Sequence, residues 1–344
     1  MKIALITDTH FGARNENSAL IKHTTNFFSD TFWPYIDEQN IESIIHLGDL
    51  VDKRKSINFL TLSNLRKSFI EPIFERRIAT RIIVGNHDMY YKNTNQVNSV
   101  NELYGESPFI FVHDVVNTFL FDDLKICLVP WLCPENEDET FEHLDKTDAQ
   151  VVMGHLELNG FTMHRGMVCE HGYSGEDFRK FDQVFSGHFH HKNGNGHIEY
   201  LGSPYQLMWS DYDTPRGFHI YDTETREIEF IKNPVDIFER IVYSDDKRNS
   251  FENLEDKFVK VIVEKKENPY RLEQFIDSIY KDNPYSVTIV DESLDFSDTE
   301  DIVDEAEDTL TILGKYVDGI DTSVDKAKLM SVLRELYTES LELI

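Results

Sequence analysis

Five short segments of the chain concentrate side chains that can bind metal ions. Each contains Asp, Asn or His, and a glycine precedes four of the five groups. The segments are Asp8-Thr9-His10, Gly48-Asp49, Gly85-Asn86-His87-Asp88, Gly154-His155 and Gly187-His188-Phe189-His190. The two histidines of the last segment are two residues apart, so on a strand both would point to one face. Any one segment can occur by chance, but the five together predict a metal site.

The donor atoms of these segments indicate which metal would bind. Carboxylate, amide oxygen and imidazole are present without thiolate, which excludes a structural cysteine–zinc site. Imidazole disfavours a site built only for Mg²⁺ or Ca²⁺, whereas mixed nitrogen and oxygen donors fit Mn²⁺ or Fe²⁺, and also Zn²⁺. Seven candidate ligands are too many for one tetrahedral ion. Two ions about 3.5–4 Å apart, bridged by one carboxylate, would use them all.

The elements that position these segments are short apolar runs. Each run has the length and the Ile, Val and Leu content of a buried strand. The runs are Lys2–Thr7, Ser43–Leu47, Thr80–Val84, Lys125–Val129, Gln150–Met153 and Gln183–Ser186. Amphipathic stretches such as Ile57–Arg77 lie between some of them, which predicts a layered α/β core. Ligands bind at the C-terminal ends of strands in open α/β sheets, where five of these runs place their polar segments.

Composition and charge limit the class of protein. The chain has 344 residues with 12% aromatic side chains, which rules out wholesale disorder. Its formal net charge of −29 argues against a histone-like DNA coat. No apolar run approaches the roughly 18 residues of a membrane span, and the N-terminus does not resemble a signal peptide. The three cysteines, Cys127, Cys133 and Cys169, form no paired motif, so we expect a cytoplasmic protein.

The chain changes character after about residue 233. Gly217–Asp222 and Glu227–Lys232 predict a β-hairpin that completes a core of residues 1–233. Residues 234–291 read as a small module of strand, helix and strand. Asp291 to Asp308 holds ten acidic residues and no basic one, which predicts a solvated linker over 292–308. Residues 309–344 predict a helical tail whose apolar stripe would bind a partner; the stripe is Leu329, Val332, Leu333, Leu336 and Tyr337.

The order DxH, GDxxD, GNHD, GH and GHxH resembles the calcineurin-like metallophosphoesterase superfamily. Within it, the chain resembles the SbcD-type DNA double-strand-break repair nucleases, above all the nuclease subunits of T-even-like phages. The resemblance includes the segments Gly154–Gly160 and Asp213–Phe218. It implies an α/β fold: a four-layer metallophosphoesterase β-sandwich flanked by helices, with a small α+β capping domain that binds DNA and a helical C-terminal tail.

The family pattern also implies a role for each site residue. One metal would be held by Asp8, His10 and His190, the other by Asn86, His155 and His188, and Asp49 would bridge them. His87 would stabilise the transition state or protonate the leaving oxygen, and Asp88 would orient His87. The roles of Asp52, Lys53, Arg54 and Arg14 stay open, since the three basic residues could contact phosphate or be ordinary surface charge.

The implied activity is metal-dependent hydrolysis of DNA, as exonuclease and endonuclease, in end processing, recombination and repair. The cofactor would be two divalent ions, with Mn²⁺ first and Mg²⁺, Fe²⁺ or Zn²⁺ as alternatives. The implied partners are DNA and an SbcC-type coiled-coil ATPase, with a homodimer inside a heterotetramer, in the host cytoplasm if the protein is phage-encoded. A phosphoprotein or small-molecule metallophosphatase and a non-enzymatic scaffold are the alternatives. Lys53 and Arg54 replace the Arg-Gly of the protein-phosphatase motif Gly-Asp-x-x-Asp-Arg-Gly, which speaks against a protein phosphatase. None of the seven predicted ligands is missing, which speaks against a non-enzymatic scaffold.

Overall fold

The computed structural model describes residues 1–164 and 167–291 and, beyond them, the single positions 317, 326, 329, 330 and 333. The chain forms two compact units, Met1–Ile237 and Phe238–Ile344. The predicted acidic linker, 292–308, lies outside the described residues, as does the predicted tail, 309–344, apart from those single positions. The functions predicted for the linker, the tail and the small module stay predictions.

Six strands form the first sheet of the first unit: β1 (Lys2–Ile6), β2 (Ser43–His46), β3 (Ala79–Ile83), β4 (Ile110–His113), β13 (Gly217–Asp222) and β14 (Ile228–Lys232). Their order across the sheet is β14-β13-β1-β2-β3-β4. The four strands from β1 to β4 are parallel, and β13 joins β1 antiparallel. All of β2 is buried, because parallel strands are covered on both faces and read as continuous apolar runs.

The second sheet also has six strands: β5 (Asn117–Phe121), β6 (Leu124–Val129), β7 (Val151–His155), β10 (Gln183–Gly187), β11 (Asn193–Gly194) and β12 (Ile198–Tyr200). Their order is β11-β12-β10-β7-β6-β5. The four strands β6, β7, β10 and β12 are parallel. A separate two-stranded hairpin, β8 (Thr162–His164) with β9 (Met167–Val168), lies between β7 and β10 in the chain.

The two sheets pack face to face around a shared apolar core. Leu5 and Ile45 of the first sheet belong to the same buried cluster as Leu128 and Met153 of the second. The helices are α1 (Ala13–Glu16, a single turn), α2 (Ser18–Asn26), α3 (Trp33–Glu38), α4 (Phe59–Leu65), α5 (Glu71–Arg76), α6 (Ser99–Tyr104) and α7 (Glu137–Lys146). Segments with π-helical bonding join α2 to α3 (Phe27–Phe32) and α4 to α5 (Arg66–Ile70).

Helices cover the outer face of each sheet. On the first sheet, the Phe32 ring lies 4.9 Å from that of Phe218 on β13. On the second sheet, Leu144 of α7 joins the buried cluster of Val152 and Val184. The layers are therefore helix, sheet, sheet and helix, which confirms the predicted α/β sandwich. Within the described part of the chain, no helix is both long enough and apolar enough to span a membrane.

The second unit contains a small parallel sheet. Its elements are β15 (Phe238–Ser244), β16 (Phe258–Lys265), α8 (Pro269–Lys281) and β17 (Ser286–Asp291), and the strand order is β15-β16-β17. All three strands are parallel, and α8 connects β16 to β17. Asn268 caps α8 by accepting a hydrogen bond from the Tyr270 amide. Ile279 of the helix packs with Val261 and Val263 in the core of the unit.

Candidate metal centre

Five strands from both sheets bring the seven predicted ligands to one place. In each sheet the strands concerned are parallel neighbours, so their C-terminal ends lie at the same edge. β1, β2 and β3 of the first sheet and β7 and β10 of the second contribute, in chain order, Asp8, His10, Asp49, Asn86, His155, His188 and His190. Their assignment as ligands stays a prediction, but the fold places their donor atoms together.

Asp8, His10 and His190 form the first group of donor atoms. The Nε2 atom of His10 lies 3.0 Å from Nε2 of His190 and 4.0 Å from Oδ1 of Asp8. Asp8 and His10 are buried. Two ring nitrogens that face each other at this distance need a proton or a cation between them, because two lone pairs would repel.

Asn86, His155 and His188 form the second group. The Asn86 side-chain oxygen lies 3.0 Å from Nε2 of His155 and 3.1 Å from Nδ1 of His188. Both ring nitrogens and the amide oxygen therefore point to one spot. The Trp131 ring packs 4.8 Å from the His188 ring and 5.9 Å from the His155 ring, which limits how far either imidazole can turn.

Asp49 lies between the two groups. Its Oδ2 atom is 3.6 Å from Nε2 of His10 and 3.3 Å from Nε2 of His155. Its Oδ1 atom accepts a hydrogen bond of 2.8 Å from the His87 amide. One carboxylate thus reaches both groups while the backbone holds its other oxygen, which is the placement that a bridging ligand requires.

The electrostatics of the pocket fit bound cations. Burial alone would raise the pKa of Asp49, but the nearby imidazoles of His155, His87 and His10 hold it well below its usual range. Burial alone would lower the pKa of His10, yet the carboxylates of Asp52, Asp49 and Asp8 raise it to about 9. Buried carboxylates here depend on positive charge beside them. Two divalent ions would supply that charge to oxygen and nitrogen donors that suit them.

The ligand loops carry unusual backbone conformations. Asp8, His10, Asp49 and His188 have φ angles of 52°, 42°, 55° and 87°. Non-glycine residues rarely adopt this left-handed region, and each instance costs about 1–3 kcal/mol. Such strain persists only where surrounding structure enforces it, and it is concentrated at active sites.

Two glycines are required by close packing at the ligands. Gly48 has a φ angle of 104°, and a Cβ atom there would lie 2.4 Å from Nδ1 of His155. A Cβ atom on Gly85 would lie 2.3 Å from Oδ1 of Asp49. The glycines that precede the polar segments therefore let neighbouring ligand loops approach each other.

His87 lies beside the first group and is held by the backbone. Its Nδ1 atom is 2.6 Å from the Asp52 carbonyl oxygen, so Nδ1–H donates this hydrogen bond. Its ring centroid is 4.8 Å from that of His10, edge to face. The ring is therefore fixed next to the donor atoms of the first group.

The expectation that Asp88 orients His87 is wrong in this structure. The two carboxylate oxygens of Asp88 accept hydrogen bonds from the amides of Asp49, Leu50 and Val51 at 2.9, 3.0 and 3.3 Å and from that of Gly85 at 2.9 Å. Asp88 is fully buried, and burial raises its pKa to about 7. Its side chain therefore links the Asp49 loop to the Gly85 loop through these hydrogen bonds.

Two acidic residues contact predicted ligands from outside the two groups. Nδ1 of His10 lies 3.3 Å from Oδ1 of Asp52, an ion-pair contact, which gives Asp52 the role that the sequence left open. Nε2 of His188 lies 3.7 Å from Oε1 of Glu157, a residue that the sequence analysis did not single out. Carboxylates behind ligating histidines commonly fix the ring orientation. Glu157 lies in the segment Gly154–Gly160, which resembles the family, so the sequence could have indicated this residue.

A buried ion pair holds His190. Arg216 donates through Nη1 to the backbone oxygen of His190 and, at 2.8 Å, to Oγ of Ser203. Its Nη2 atom donates to Oδ1 of Asp211 at 2.7 Å. Asp211 and Arg216 are 1% and 2% exposed. Arg216 lies in the segment Asp213–Phe218, which resembles the family, but the resemblance implies no role for it. The sequence therefore did not predict the ion pair with Asp211.

Comparison with known proteins identifies relatives of this chain. Residues 1–192 match the model of the calcineurin-like phosphoesterases. Exonuclease subunit 1 of Enterobacteria phage T4 is 31% identical over 345 residues, which cover 99% of this chain and 100% of the phage protein. The SbcD subunit of the nuclease SbcCD from Staphylococcus epidermidis is 25% identical over 66% of this chain and 67% of its own. An archaeal phosphodiesterase structure, 16% identical, covers 68% of this chain and 100% of its own with a TM-score of 0.33.

These matches confirm the family that the strand-end motifs predicted. The family model spans more than half of the chain, and the phage relative aligns along its whole length. The chain belongs to the calcineurin-like phosphoesterase family, among its exonuclease and SbcD-type nuclease subunits.

Proposed function

We propose that the chain is a metal-dependent DNA nuclease, the nuclease subunit of an SbcCD-type complex in DNA end processing, recombination and repair. One observation carries this proposal. Oδ2 of Asp49 lies within 3.6 Å of His10 and 3.3 Å of His155, between the two groups of donor atoms. This placement supports a two-metal site for phosphodiester hydrolysis. The relatives are named as an exonuclease subunit and a nuclease subunit.

The residues divide into ligands and a proton donor. One ion would be held by Asp8, His10 and His190, the other by Asn86, His155 and His188, and Asp49 would reach both. When bound, the ions would activate water and neutralise the attacked phosphate. Mixed imidazole and oxygen donors favour Mn²⁺ as the native ion. His87, fixed through Nδ1 by the Asp52 carbonyl, would donate a proton to the leaving sugar oxygen.

Local side chains offset the acidic charge of the chain beside this site. Lys53, Arg54 and Lys55 follow Asp52 directly, and the Arg54 guanidinium donates to the Met89 carbonyl at 3.4 Å, so their loop adjoins the loop after His87. In that second loop Tyr90 and Tyr91 are 39% and 51% exposed. Their ring centroids are 4.7 Å apart. Exposed aromatic rings beside basic residues suit stacked bases and phosphates of a single strand.

The second unit is proposed as a capping domain that binds DNA. The proposed domains are 1–233, 234–291, 292–308 and 309–344, as the sequence predicts. Three tyrosines of the second unit, Tyr270, Tyr280 and Tyr285, are 64%, 56% and 44% exposed. Exposed tyrosines can stack on bases, which supports a role in nucleic-acid binding.

Two kinds of protein partner are proposed. The buried side chains Leu65 and Phe69 pack the helical region into its own unit, whereas Phe59 and Leu60 are 90% and 57% exposed. A second copy of the chain would cover these two residues in a homodimer.

Residues 309–344 would dock on the coiled coil of the ATPase. Truncation after Asp291 should therefore abolish co-purification with the ATPase and leave Mn²⁺ binding intact; unchanged affinity would place the docking site elsewhere.

The test of function uses the full chain with Mn²⁺ and two substrates, linear DNA and a phosphopeptide. We expect hydrolysis of DNA. Asp49→Asn should lose metal binding and DNA hydrolysis together, because one carboxylate serves both groups. The matched control is Asp148→Asn, which changes a carboxylate that is 76% exposed and should keep full activity.

Three outcomes would contradict the proposal. Faster hydrolysis of the phosphopeptide than of DNA would favour the phosphatase. A single ion, or none near Asp49, in anomalous scattering from Mn²⁺-soaked crystals would refute the two-metal assignment. Full activity of Asp49→Asn would remove its bridging role.

A further inference from the structure

A second kind of candidate metal cluster lies beside the proposed catalytic groups. It consists of Glu157, Cys169 and His171, whose carboxylate oxygen, Sγ and ring nitrogen all lie within 4.8 Å of one another. Cys169 is buried at 1% exposure, and its thiol donates to the His171 carbonyl oxygen at 2.9 Å. Unlike the catalytic groups, this cluster contains sulfur.

The backbone holds these three residues in a fixed frame. The segment that begins at Glu157 pairs with the segment that follows Cys169. The Tyr173 amide donates to the Glu157 carbonyl at 2.9 Å, the Gly160 amide to the Cys169 carbonyl at 2.8 Å, and the Cys169 amide to the Phe161 carbonyl at 2.8 Å. Because hydrogen bonds join both segments, the three donor atoms are brought together by the fold and not by mobile side chains alone.

We propose that Glu157, Cys169 and His171 form a third metal site, which takes a thiophilic divalent ion such as Zn²⁺. Thiolate, imidazole and carboxylate are the three kinds of protein ligand that Zn²⁺ uses, and water would complete a tetrahedral shell. Binding forms the metal–sulfur bond and releases the thiol proton to solvent. Hard ions such as Mg²⁺ and Ca²⁺, which prefer oxygen donors, are disfavoured by the sulfur.

The third site shares a residue with the surroundings of the catalytic centre. Oε1 of Glu157 lies 3.8 Å from Nε2 of His171 and 3.7 Å from Nε2 of His188. The same carboxylate thus faces a ligand of the proposed site and a predicted catalytic ligand. An ion on Glu157 would change the charge that His188 experiences.

Cobalt titration of the full chain tests the proposal, because a thiolate ligand gives Co²⁺ a near-ultraviolet charge-transfer absorption that oxygen and imidazole ligands do not. We expect this absorption in the wild-type chain, with one more bound equivalent than in Cys169→Ser, and its removal by added Zn²⁺. Cys169→Ser should lack it. Cys127→Ala is the matched control, since Cys127 is also buried but lies in β6 outside the cluster, and it should keep the absorption.

His171→Ala supplies a second variant that should fold normally, because the His171 side chain is 72% exposed. It should weaken Co²⁺ binding at the thiolate at least about tenfold. Absence of the absorption from the wild-type chain, or its persistence in Cys169→Ser, would overturn the proposal. DNA hydrolysis by the same samples reports on the catalytic groups separately, so failure of the third site leaves the proposed nuclease untouched.

Discussion

Replacement of Arg216 by methionine tests how the fold holds His190. The substitution keeps much of the side-chain volume but removes the donors to Asp211, Ser203 and the His190 carbonyl. Asp211 would then be a buried carboxylate, 1% exposed, without its cation. Removal of one partner of a buried ion pair costs about 3–5 kcal/mol. Two backbone amides still bond to Asp211, at 2.7 and 3.1 Å, so we expect about 3 kcal/mol, the lower end of that range.

The loss of stability in Arg216→Met should become smaller as pH falls. Burial alone would raise the pKa of Asp211, but Arg216, with smaller contributions from His191, His190 and the Leu207 amide, holds it at about 2. An unfolded aspartate titrates near pH 4, so in the wild type this carboxylate stabilises fully above that pH and its contribution is lost as pH falls through about 2. Without Arg216 the buried carboxyl would bind a proton at higher pH. The stability gap between the wild type and Arg216→Met should therefore narrow as pH falls from neutrality.

Urea unfolding followed by tryptophan fluorescence measures this gap. The three tryptophans of the chain, Trp33, Trp131 and Trp209, all lie in Met1–Ile237, so the signal reports on the unit that contains the pair. The control is the double variant Asp211→Asn with Arg216→Met, which removes both charges and should recover part of the loss. A gap below about 1 kcal/mol at neutral pH, typical of an exposed pair, would refute the argument, and so would a double variant less stable than the single one.

Three further predictions concern catalysis, substrate binding and acid stability. His87→Ala should keep both metal equivalents while DNA hydrolysis falls about 10²–10⁴-fold; equal rates at saturating Mn²⁺ would exclude the proposed role. Joint replacement of Tyr90 and Tyr91 by alanine should raise the Kd for single-stranded DNA at least about tenfold, since stacking contributes about 1–3 kcal/mol per base. The matched Phe replacements should bind normally, and an unchanged Kd in the alanine variant would refute stacking. Burial lowers the pKa of His23 to about 4, below the unfolded value near 6.5, so the wild type should lose stability as pH falls through that window. Over the same pH range, the free energy of unfolding of His23→Phe should fall by about 3 kcal/mol less than that of the wild type. Parallel curves of stability against pH for the two proteins would contradict this.

Local sequence patterns were sufficient to predict the strands and the segments that contain the candidate ligands. A strand such as Ser43–His46 is buried on both faces, so its apolar run is visible without knowledge of its neighbours. Asp49 and His155 follow or end such strands, and parallel pairing brings strand ends together whatever the details of packing. The clustering of the candidate ligands could therefore be predicted from residue types and their places after strands.

Residues that act across the chain could not be predicted in this way. Asp88 is adjacent to His87, which suggested a direct partnership, but its carboxylate bonds to amides of the Asp49 loop, 37–39 positions away. Glu157 contacts His188 and Asp211 pairs with Arg216 only after the loops are folded. The choice of partner for a buried carboxylate depends on which donors the tertiary packing leaves within reach, and a sequence pattern does not contain that information.

The division of the proposed ligands between two sheets has a consequence for the synthesis of the chain. Asp8 and His10 lie 180 positions before His188 and His190, with which they make contact. During synthesis the earliest donors leave the ribosome long before the last. A chain that stops before residue 155 would contain Asp8, His10, Asp49 and Asn86 but would lack His155, His188 and His190. Under the proposed ligand assignment, hydrolysis of DNA would begin only after both sheets have formed.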